Sequence, residues 1–474
     1  MGWRKCRRRF GLSLAHNLVL DRFGLPNSAD DFQMSATIYA LSSGAGRAGV
    51  AVVRVSGPLA GDVLMELSGD ALPSPRAVRL CRVRMPKTEE VLDEGLSVWF
   101  PSPRSFTGED IVEFHIHGGA AVVASVLRAI GECGGTRLAE PGEFTKRAFL
   151  NDKMDLTVAE GQADIIDAET EAQRRQARRQ ASGVLGELYD SWRTRLMRRL
   201  AYVEAAIDFP DEELPESILS DAQFDILGLE LELTQHLDDG KLGERLRSGI
   251  EVAILGPPNA GKSSLMNVLA GRDAAIVSET AGTTRDVIEV RLDLAGFPVV
   301  LSDTAGLREV EGGVEAEGIR RARERGRTAD IRVVVLDGSA ASVWEDSLYG
   351  AEDSFTILNK IDIGRCDVLP FEGDLGLFPL SVRTGEGIAD FISALTEAVR
   401  NRYNGGDAPV ITRARHREAV AECLEALRRA KTVRLPELVA EDLRLAMRAL
   451  GRITGTFDVE DLLDIVFRDF CIGK

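Results

Sequence analysis

The sequence predicts a multidomain protein in which an α/β part, an α+β part and an all-α part are combined. Its 474 residues are too many for one ordinary hydrophobic core, so two or three domains are expected. Residues 249–400 alternate short Val/Ile/Leu-rich runs with helical patterns, which is typical of a parallel sheet. Residues 155–207 contain few helix breakers, and this composition predicts long amphipathic helices.

Composition and charge exclude several classes of protein. The chain is 44% hydrophobic and 28% charged, which is typical of a folded globular protein. We expect no membrane contact, because an unbroken apolar stretch of roughly 18–20 residues is absent from the sequence. The six cysteines are scattered without a CxxC pair, which argues against disulfides or a zinc site and favours the cytoplasm. The net charge of −17 means that any RNA contact needs a local basic patch or a partner.

Residues 1–34 are interpreted as an N-terminal extension. The run from Trp3 to Phe10 is basic, but the stretch after it lacks a secretory apolar segment. We favour an over-extended translation start, with Met34 as the natural initiator. The alternative is an organelle-targeting peptide, which would make the protein mitochondrial; acidic residues count against it, namely Asp21, Asp30 and Asp31.

The remaining elements are assigned in chain order. Residues 35–152 form the α+β domain, with strand patterns in 37–55 and 95–116 and a helical pattern in 120–130. Residues 153–247 are helical, and residues 248–400 form the α/β domain. Residues 401–474 return to helix, with segments predicted at 415–431, about 438–451 and from Asp458 onward. The simplest arrangement is one helical domain with the α/β domain inserted at a surface loop.

A phosphate-binding loop is predicted at Gly256–Ser263. Its sequence GPPNAGKS matches GxxxxGK[ST], follows the strand Glu251–Leu255 and precedes a helical run, which is the context that this motif requires. The glycines allow backbone N–H groups to close around phosphates at a helix N-terminus. Lys262 would neutralise the β and γ oxygens, and Ser263 would bind Mg²⁺.

Three further loops predict GTP rather than ATP, and hence a P-loop, Ras-like G domain. Asp303–Gly306 would lie near the metal and the γ-phosphate. Asp362 can accept hydrogen bonds from both N1–H and N2–H of guanine, a pattern that adenine does not offer. The loop at Ser381–Thr384 fits the remaining guanine contact. The expected nucleotide contacts are Asn259, Ala260, Gly261, Lys262, Ser263, Ser264, Asp303, Thr304, Ala305, Gly306, Asn359, Lys360, Asp362, Ser381, Val382 and Arg383.

The predicted site departs from the Ras pattern at one position. Leu307 stands where Ras places the glutamine that positions the attacking water, and leucine cannot orient a water. Another group must therefore do so, and the stretch just downstream offers four glutamates, at Glu309, Glu311, Glu315 and Glu317.

Several separate segments resemble the MnmE (TrmE) family of tRNA modification GTPases, from about residue 34 to the end of the chain. These segments are Arg47–Gly57, Ser105–Gly119, Glu140–Leu156, Glu204–Glu213, the nucleotide loops, Gly282–Asp286 and the terminus Phe470–Lys474. The resemblance implies that the N-terminal domain dimerises and binds a 5-formyl- or methylene-tetrahydrofolate derivative. It also implies a heterotetramer with an FAD-containing MnmG (GidA)-like flavoprotein. That complex would add an aminomethyl or carboxymethylaminomethyl group to C5 of the wobble uridine of tRNA.

The resemblance also assigns roles to individual residues. It implies hydrolysis that depends on potassium and on dimerisation of the G domains, with Glu315 orienting the attacking water. The implied K⁺ site comprises Asn259, Ser278, Thr280 and Thr283, although Ser278 and Thr280 stand where Thr and Ile are frequent in the family. Thr284 is the second implied Mg²⁺ ligand beside Ser263, and Ser278, Thr283 and Thr284 join the nucleotide contacts. The implied folate-binding residues are Arg54, Glu113, Lys153 and Lys474, and Cys471 is the implied catalytic thiol.

Two other functions remain open on the sequence alone. A regulatory or ribosome-assembly GTPase, acting as a nucleotide-dependent binding module, would share the nucleotide loops but has no use for a folate pocket or a terminal CIGK. An ATPase would share the phosphate loop, and Asp362 argues against it.

Overall fold

The computed structural model describes residues 36–208, 216–271, 289–303, 324–339, 352–364, 374–403, 408–433, 435–457, 463, 466–467, 470 and 473. The chain divides into two compact units. Unit 1 comprises residues 1–154 and 460–474, and unit 2 comprises residues 155–459. None of the described helices is long and apolar enough to cross a membrane.

Unit 1 contains a six-stranded sheet in the order β3-β4-β5-β2-β1-β6. All neighbouring strands are antiparallel except β1 and β6, which are parallel. The strands are β1 (Thr37–Leu41), β2 (Ala48–Ser56), β3 (Val78–Arg84), β4 (Val91–Phe100), β5 (Ile111–Gly118) and β6 (Thr136–Leu138).

Helices cover one face of this sheet and leave apolar side chains exposed on the other. The helices α1 (Ala60–Ser68) and α2 (Ala120–Glu132) pack on the core that includes Val53 and Phe114. Leu80 and Leu96 are direct cross-strand partners, so they share a face, and they are 63% and 41% exposed. The second face of the sheet therefore carries an exposed apolar patch, whereas a face that only meets solvent is expected to be mainly polar.

A buried arginine joins the next helix to the loop that precedes β5. Arg147 lies in α3 (Glu143–Leu150), and its side chain is fully buried. It contacts Glu143 at 2.9 Å and Glu109 at 3.1 Å. These two carboxylates supply the counter-charge that a buried guanidinium requires.

Unit 2 contains a second six-stranded sheet, in the order β12-β11-β10-β7-β9-β8. Five strands are parallel, and only β8 runs antiparallel, to β9. The strands are β7 (Ile250–Leu255), β8 (Glu289–Leu294), β9 (Phe297–Asp303), β10 (Ile331–Asp337), β11 (Ser354–Asn359) and β12 (Leu377–Pro379). The predicted α/β pattern of residues 249–400 therefore corresponds to a largely parallel sheet.

The helices of unit 2 lie before, within and after this sheet in the sequence. They are α4 (Leu156–Asp167), α5 (Glu171–Ala181), α6 (Val184–Asp208), α7 (Glu216–Leu237), α8 (Leu242–Ser248), α9 (Lys262–Ala270), α10 (Ile388–Tyr403), α11 (Ala414–Thr432) and α12 (Pro436–Thr454). Residues of α6 and α7 share one hydrophobic core with residues of α11 and α12. The helical stretches before and after the sheet thus pack together. The predicted helix beginning at Asp458 lies outside the described residues.

The helical stretch predicted over 155–207 is divided into α4, α5 and α6 for local reasons. Asp155 caps α4 by accepting from the N–H of Val158, and Thr170 forms a capping box with Gln173 at the start of α5. Gly183, with φ of 91°, separates α5 from α6. The sequence pattern predicted helix correctly here but did not locate these boundaries.

A buried ion cluster joins α4 to the start of α11. The carboxylate of Glu160, which is 2% exposed, contacts Arg413, Arg415 and His416 at 3.0, 2.7 and 2.9 Å. Burial opposes ionisation of Glu160, but these neighbours hold the pKa of its carboxyl far below its usual range. Asp164 lies one turn further along α4 and contacts both Arg247 and Arg413 at 3.0 Å. The cluster therefore connects α4 to Arg247, which precedes the sheet in the sequence, and to the start of α11, which follows it.

Candidate functional site

The phosphate loop lies where a nucleotide site is expected in a sheet of this kind. It follows β7, whose two neighbours are β10 on one side and β9 on the other, so the strand order reverses there. Ligands bind at such switch points, beyond the carboxyl ends of the strands. Two glycines permit the tight loop: a Cβ on Gly256 would lie 2.1 Å from the carbonyl oxygen of Val335, and a Cβ on Gly261 would lie 2.1 Å from the amide nitrogen of Asn359.

The N-terminus of α9 is built to receive an anion. Gly261 is its N-cap and makes no side-chain capping hydrogen bond. A helix N-terminus presents backbone N–H groups and the positive end of the helix dipole, which together favour an anion. Lys262 is folded back over the loop, and its Nζ donates to the carbonyl oxygens of Gly256 and Pro257 at 2.9 and 2.8 Å. Ser263 and Ser264 follow in the exposed first turn, and Asn259 is exposed in the loop with φ of 62°. The candidate phosphate, Mg²⁺ and K⁺ contacts of this segment thus lie together.

Asn359 joins the phosphate loop to the loop that is predicted to contact guanine. Its Nδ2 donates to the carbonyl oxygen of Ala260 at 2.8 Å, and its Oδ1 accepts from the N–H groups of Lys360 and Val382 at 2.8 and 3.1 Å. The side chain is 3% exposed. Asn359 therefore fixes both loops relative to each other, a role that the motif alone did not predict.

The carboxylate of Asp362 is held in one orientation by the next loop. Ser381 Oγ donates to its Oδ1 at 2.6 Å, and Arg383 contacts its Oδ2 at 2.5 Å. The Ser381 hydroxyl, helped by Arg383, lowers the pKa of Asp362, so this group is ionised at neutral pH and accepts hydrogen bonds. An ionised carboxylate that is fixed in this way can accept from both donors on the Watson–Crick edge of guanine.

These residues line one cavity of about 890 Å³. The cavity brings together residues of the phosphate loop and of the two loops predicted to contact guanine, namely Asn259, Gly261, Lys262, Ser263, Ser264, Asn359, Lys360, Asp362, Val382 and Arg383. Its size is within the range of small-molecule sites. Two further lining residues were not predicted from the sequence, Pro258 and Ile363. Ile363 is 67% exposed and provides an apolar surface beside Asp362.

Lys360 is fixed by a strand end that the sequence motifs did not single out. Its Nζ contacts the carboxylate of Asp337, the last residue of β10, at 2.7 Å. Burial opposes ionisation of Asp337, but hydrogen bonds from Lys360 and Ser339 lower the pKa of its carboxyl. Lys360 also lines the cavity.

Several predicted site residues lie outside the described residues and remain predictions. They are Ser278, Thr280, Thr283, Thr284, Thr304, Ala305, Gly306, Glu315, Cys471 and Lys474. Asp303 is described as the last residue of β9, which ends beside β7.

A second group of candidate residues lies in unit 1. Arg54 and Glu113 are cross-strand partners on β2 and β5, and the guanidinium contacts the carboxylate at 2.8 Å. The guanidinium of Arg54 also lies 5.4 Å from the ring centre of Phe106 and 5.7 Å from that of Phe144. The result is a half-buried, paired charge against two aromatic rings, a setting suited to a flat polar ligand with charged groups.

Lys153, the third candidate residue of this group, contacts the loop that follows β4. Lys153 Nζ donates to the carbonyl oxygen of Pro103 at 2.8 Å, and the loop containing Pro103 also carries Phe106. The residue before Lys474 is anchored in unit 1 too, because Ser42 Oγ donates to the carbonyl oxygen of Gly473 at 2.7 Å. Gly473 has φ of 96°, and a Cβ there would lie 2.0 Å from the carbonyl oxygen of Leu41. Only glycine fits this position without rearrangement.

A phosphate loop at the switch point of a parallel sheet, facing an oriented carboxylate that matches guanine, defines a P-loop GTPase. Comparison with known proteins specifies the family. The family model for the MnmE helical domain matches residues 156–471, and that for the GTP-binding protein TrmE N-terminus matches residues 37–153. The chain belongs to the tRNA modification GTPase MnmE family.

Individual relatives are similar over nearly the whole chain. The tRNA modification GTPase MnmE of Parvibaculum lavamentivorans is 58% identical over 92% of this chain and 100% of its own length. The protein of the same name from Paramagnetospirillum magneticum is 52% identical over 93% of this chain and 100% of its own length. The human mitochondrial 5-taurinomethyluridine-[tRNA] synthase subunit GTPB3 is 48% identical over 93% of each chain.

Proposed function

We propose that this chain hydrolyses GTP as part of an enzyme that modifies C5 of the wobble uridine of tRNA. The observation that carries the proposal is the nucleotide cavity with its oriented Asp362, found in a chain of the tRNA modification GTPase MnmE family. Nucleoside mass spectrometry of tRNA from a strain lacking the gene provides the test. The wobble modification should disappear and return with the wild-type gene but not with Lys262→Ala, and unchanged nucleosides would contradict the proposal.

The reaction is proposed to need a flavoprotein partner. An MnmG (GidA)-like protein would hold FAD and form a heterotetramer with two copies of this chain, adding an aminomethyl or carboxymethylaminomethyl group. The name of the human relative, which describes a synthase subunit, supports a multi-component enzyme. We place this reaction in the cytoplasm, and the three described cysteines, all buried and unpaired, are compatible with a reducing compartment.

Hydrolysis is proposed to use two metal ions together with groups of the chain. Ser263 would bind Mg²⁺ with Thr284, and Asn259 would bind K⁺ with the segment of Ser278, Thr280 and Thr283. Oxygen ligands suit both ions, and such cations stabilise the charge that develops on the phosphates. Turnover should rise sharply when KCl replaces NaCl at equal ionic strength, and equal rates would remove the potassium mechanism.

Glu315 is proposed to orient the attacking water, because Leu307 cannot. Glu315→Ala should then retain GTP affinity and lose turnover by about a hundredfold or more, as expected for a group that positions a reactant. Glu317→Ala, two residues away, is the matched control and should keep its turnover. Loss of GTP binding in Glu315→Ala would instead mean a structural role.

The site at Arg54 is proposed to bind a tetrahydrofolate derivative that supplies the one-carbon unit. Glu113 can accept from pterin N–H groups, while Arg54, Lys153 and the terminal Lys474 can pair with glutamyl carboxylates. The anchoring of Gly473 in unit 1 supports this assignment of the C-terminus, which also carries Cys471 as the proposed catalytic thiol. Arg54→Ala should weaken binding of 5-formyl-tetrahydrofolate in calorimetry without changing GTP turnover, and unchanged folate affinity would contradict the assignment.

A homodimer is proposed to form through the N-terminal domain. The support is the exposed apolar face of its sheet, where Val78, Leu80 and Leu96 are 64%, 63% and 41% exposed. Leu96→Glu should shift the chain toward the monomer in analytical ultracentrifugation. Leu445→Glu, at a helical residue with the same 41% exposure, is the control and should leave the mass unchanged.

A further inference from the structure

Helix α5 is strongly basic within an acidic chain. Its sequence EAQRRQARRQA contains four arginines and one glutamate, a formal charge of +3, while the whole chain carries −17. A chain with that net charge repels polyanions in general, so any nucleic-acid contact must be made by a local feature.

The four arginines share the outward face of this helix. At 100° per residue, Arg174, Arg175, Arg178 and Arg179 fall within an arc of about 140°. The buried residues of the helix, Gln173, Ala177 and Gln180, occupy the opposite side. The side chains of Arg174 and Arg175 are 52% and 69% exposed. We call these four residues the α5 arginine face.

A second arginine-rich segment shows that composition alone does not produce such a face. Arg413, Arg415 and Arg417 lie at the start of α11, but their side chains are only 14%, 20% and 20% exposed. Each is directed at buried or half-buried carboxylates of the helical part. These arginines hold the fold together, whereas Arg174, Arg175 and Arg178 of α5 are exposed.

Structural roles account for only part of the α5 arginine face. Arg178 and Arg179 lie in the last turn, where cations stabilise the helix dipole. Arg174 and Arg175 lie in the first half of the helix, where that effect does not favour them. Both pair with Glu171, at 2.7 Å, but exposed pairs of this kind contribute little and exchange readily for a phosphate.

We propose that the α5 arginine face binds the phosphate backbone of tRNA. The inference rests on the proposed function and specifies where the chain contacts its RNA substrate. Planar guanidinium groups match phosphate oxygens bidentately and also stack on unpaired bases, so arginine suits RNA better than lysine does. The face covers about 7.5 Å of helix axis from Arg174 to Arg179, enough for more than one phosphate group.

The test compares two double variants of the full-length chain. Arg174→Gln/Arg175→Gln removes two charges from the α5 arginine face, and glutamine has a helix propensity close to that of arginine. The control is Arg428→Gln/Arg429→Gln on α11, where the side chains are 51% and 52% exposed and also pair with carboxylates. Fluorescence anisotropy with a labelled, unmodified tRNA transcript is measured from 50 to 200 mM KCl at constant Mg²⁺ and GDP.

The α5 variant should bind tRNA about tenfold or more weakly at 0.1 M KCl, and the slope of log K against log salt should fall by about 2. The control should bind as the wild type does, and basal GTP turnover should be unchanged in both. Equal losses in both variants would mean a bulk-charge effect, and an unchanged α5 variant would refute the site. Loss of flavoprotein binding in place of tRNA binding would reassign the face to a protein partner.

Separate measurements decide the tRNA contact of α5 and the role of the chain in wobble modification. If the wild-type chain bound no tRNA at any salt concentration, the α5 site would be refuted. The nucleoside analysis of the deletion strain would still decide separately whether the chain acts in wobble modification.

Discussion

Replacing Glu160 by glutamine tests the buried cluster that joins α4 to α11. Glutamine keeps the volume but removes the charge that Arg413, Arg415 and His416 contact within 3.0 Å. Removing one partner of a buried ion pair costs about 3–5 kcal/mol. Because Arg413 keeps its contact with Asp164, we expect the lower end, about 3 kcal/mol. For a domain as large as unit 2, that corresponds to a fall in Tm of about 6 °C.

Thermal unfolding followed by circular dichroism at 222 nm measures this loss. The matched control is Glu441→Gln, which removes one partner of an exposed pair with Arg444, at 56% and 44% side-chain exposure. Such a surface change should alter the free energy of unfolding by no more than about 0.5 kcal/mol. If Glu160→Gln unfolded at the same temperature as this control, the buried charge would not stabilise the fold and the reasoning would be refuted.

Three further predictions follow from individual contacts. Asp362→Ala should weaken GTP binding by about a hundredfold or more, because two charge-assisted hydrogen bonds to guanine are lost. Ser381→Ala only frees the Asp362 carboxylate and should weaken GTP binding by about tenfold or less. Calorimetry measures both affinities, and equal effects would contradict the assigned roles. Gly473→Ala should release the C-terminal segment, because its Cβ would lie 2.0 Å from the carbonyl oxygen of Leu41; hydrogen exchange of the terminal peptide measures this, and unchanged protection would refute it. Burial lowers the pKa of His416 from 6.5 to about 4, so between these values the imidazole binds a proton in the unfolded chain but not in the folded one. The contribution of His416 to the free energy of unfolding should therefore be full above about pH 6.5 and be lost as the pH falls toward 4. Urea titrations that show no such fall would disprove it.

The nucleotide loops could be predicted from the sequence because their chemistry is local. In Gly256–Ser263 the spacing of glycine, lysine and serine specifies a turn, a charge and a helix start within eight residues. The same holds for Asp362, whose role depends on its own carboxylate. Contacts between distant parts of the chain were not visible in the sequence. Asn359 fixes Ala260, 99 residues away, and no pattern within either segment indicates that pairing.

Buried charges were the second feature that sequence patterns missed. Glu160 and Arg415 lie in stretches that read as amphipathic helices, where charged residues are expected on the solvated side. Glu160 is instead buried and Arg415 is half-buried, and the two are paired although more than 250 residues of chain separate them. Similarly, Gly473 carried no local signal of its contact with β1. Glycine is needed there because a Cβ would collide with the carbonyl oxygen of Leu41, near the other end of the sequence.

The most direct test of the nucleotide assignment is calorimetry on the magnesium-supplied chain with GTP and ATP in separate titrations. Because Asp362 offers two acceptor oxygens to guanine and none of the donors that adenine would need, GTP should bind at least about a hundredfold more tightly than ATP. Equal uptake of the two nucleotides, or uptake of neither, would contradict the identification of this chain as a GTPase.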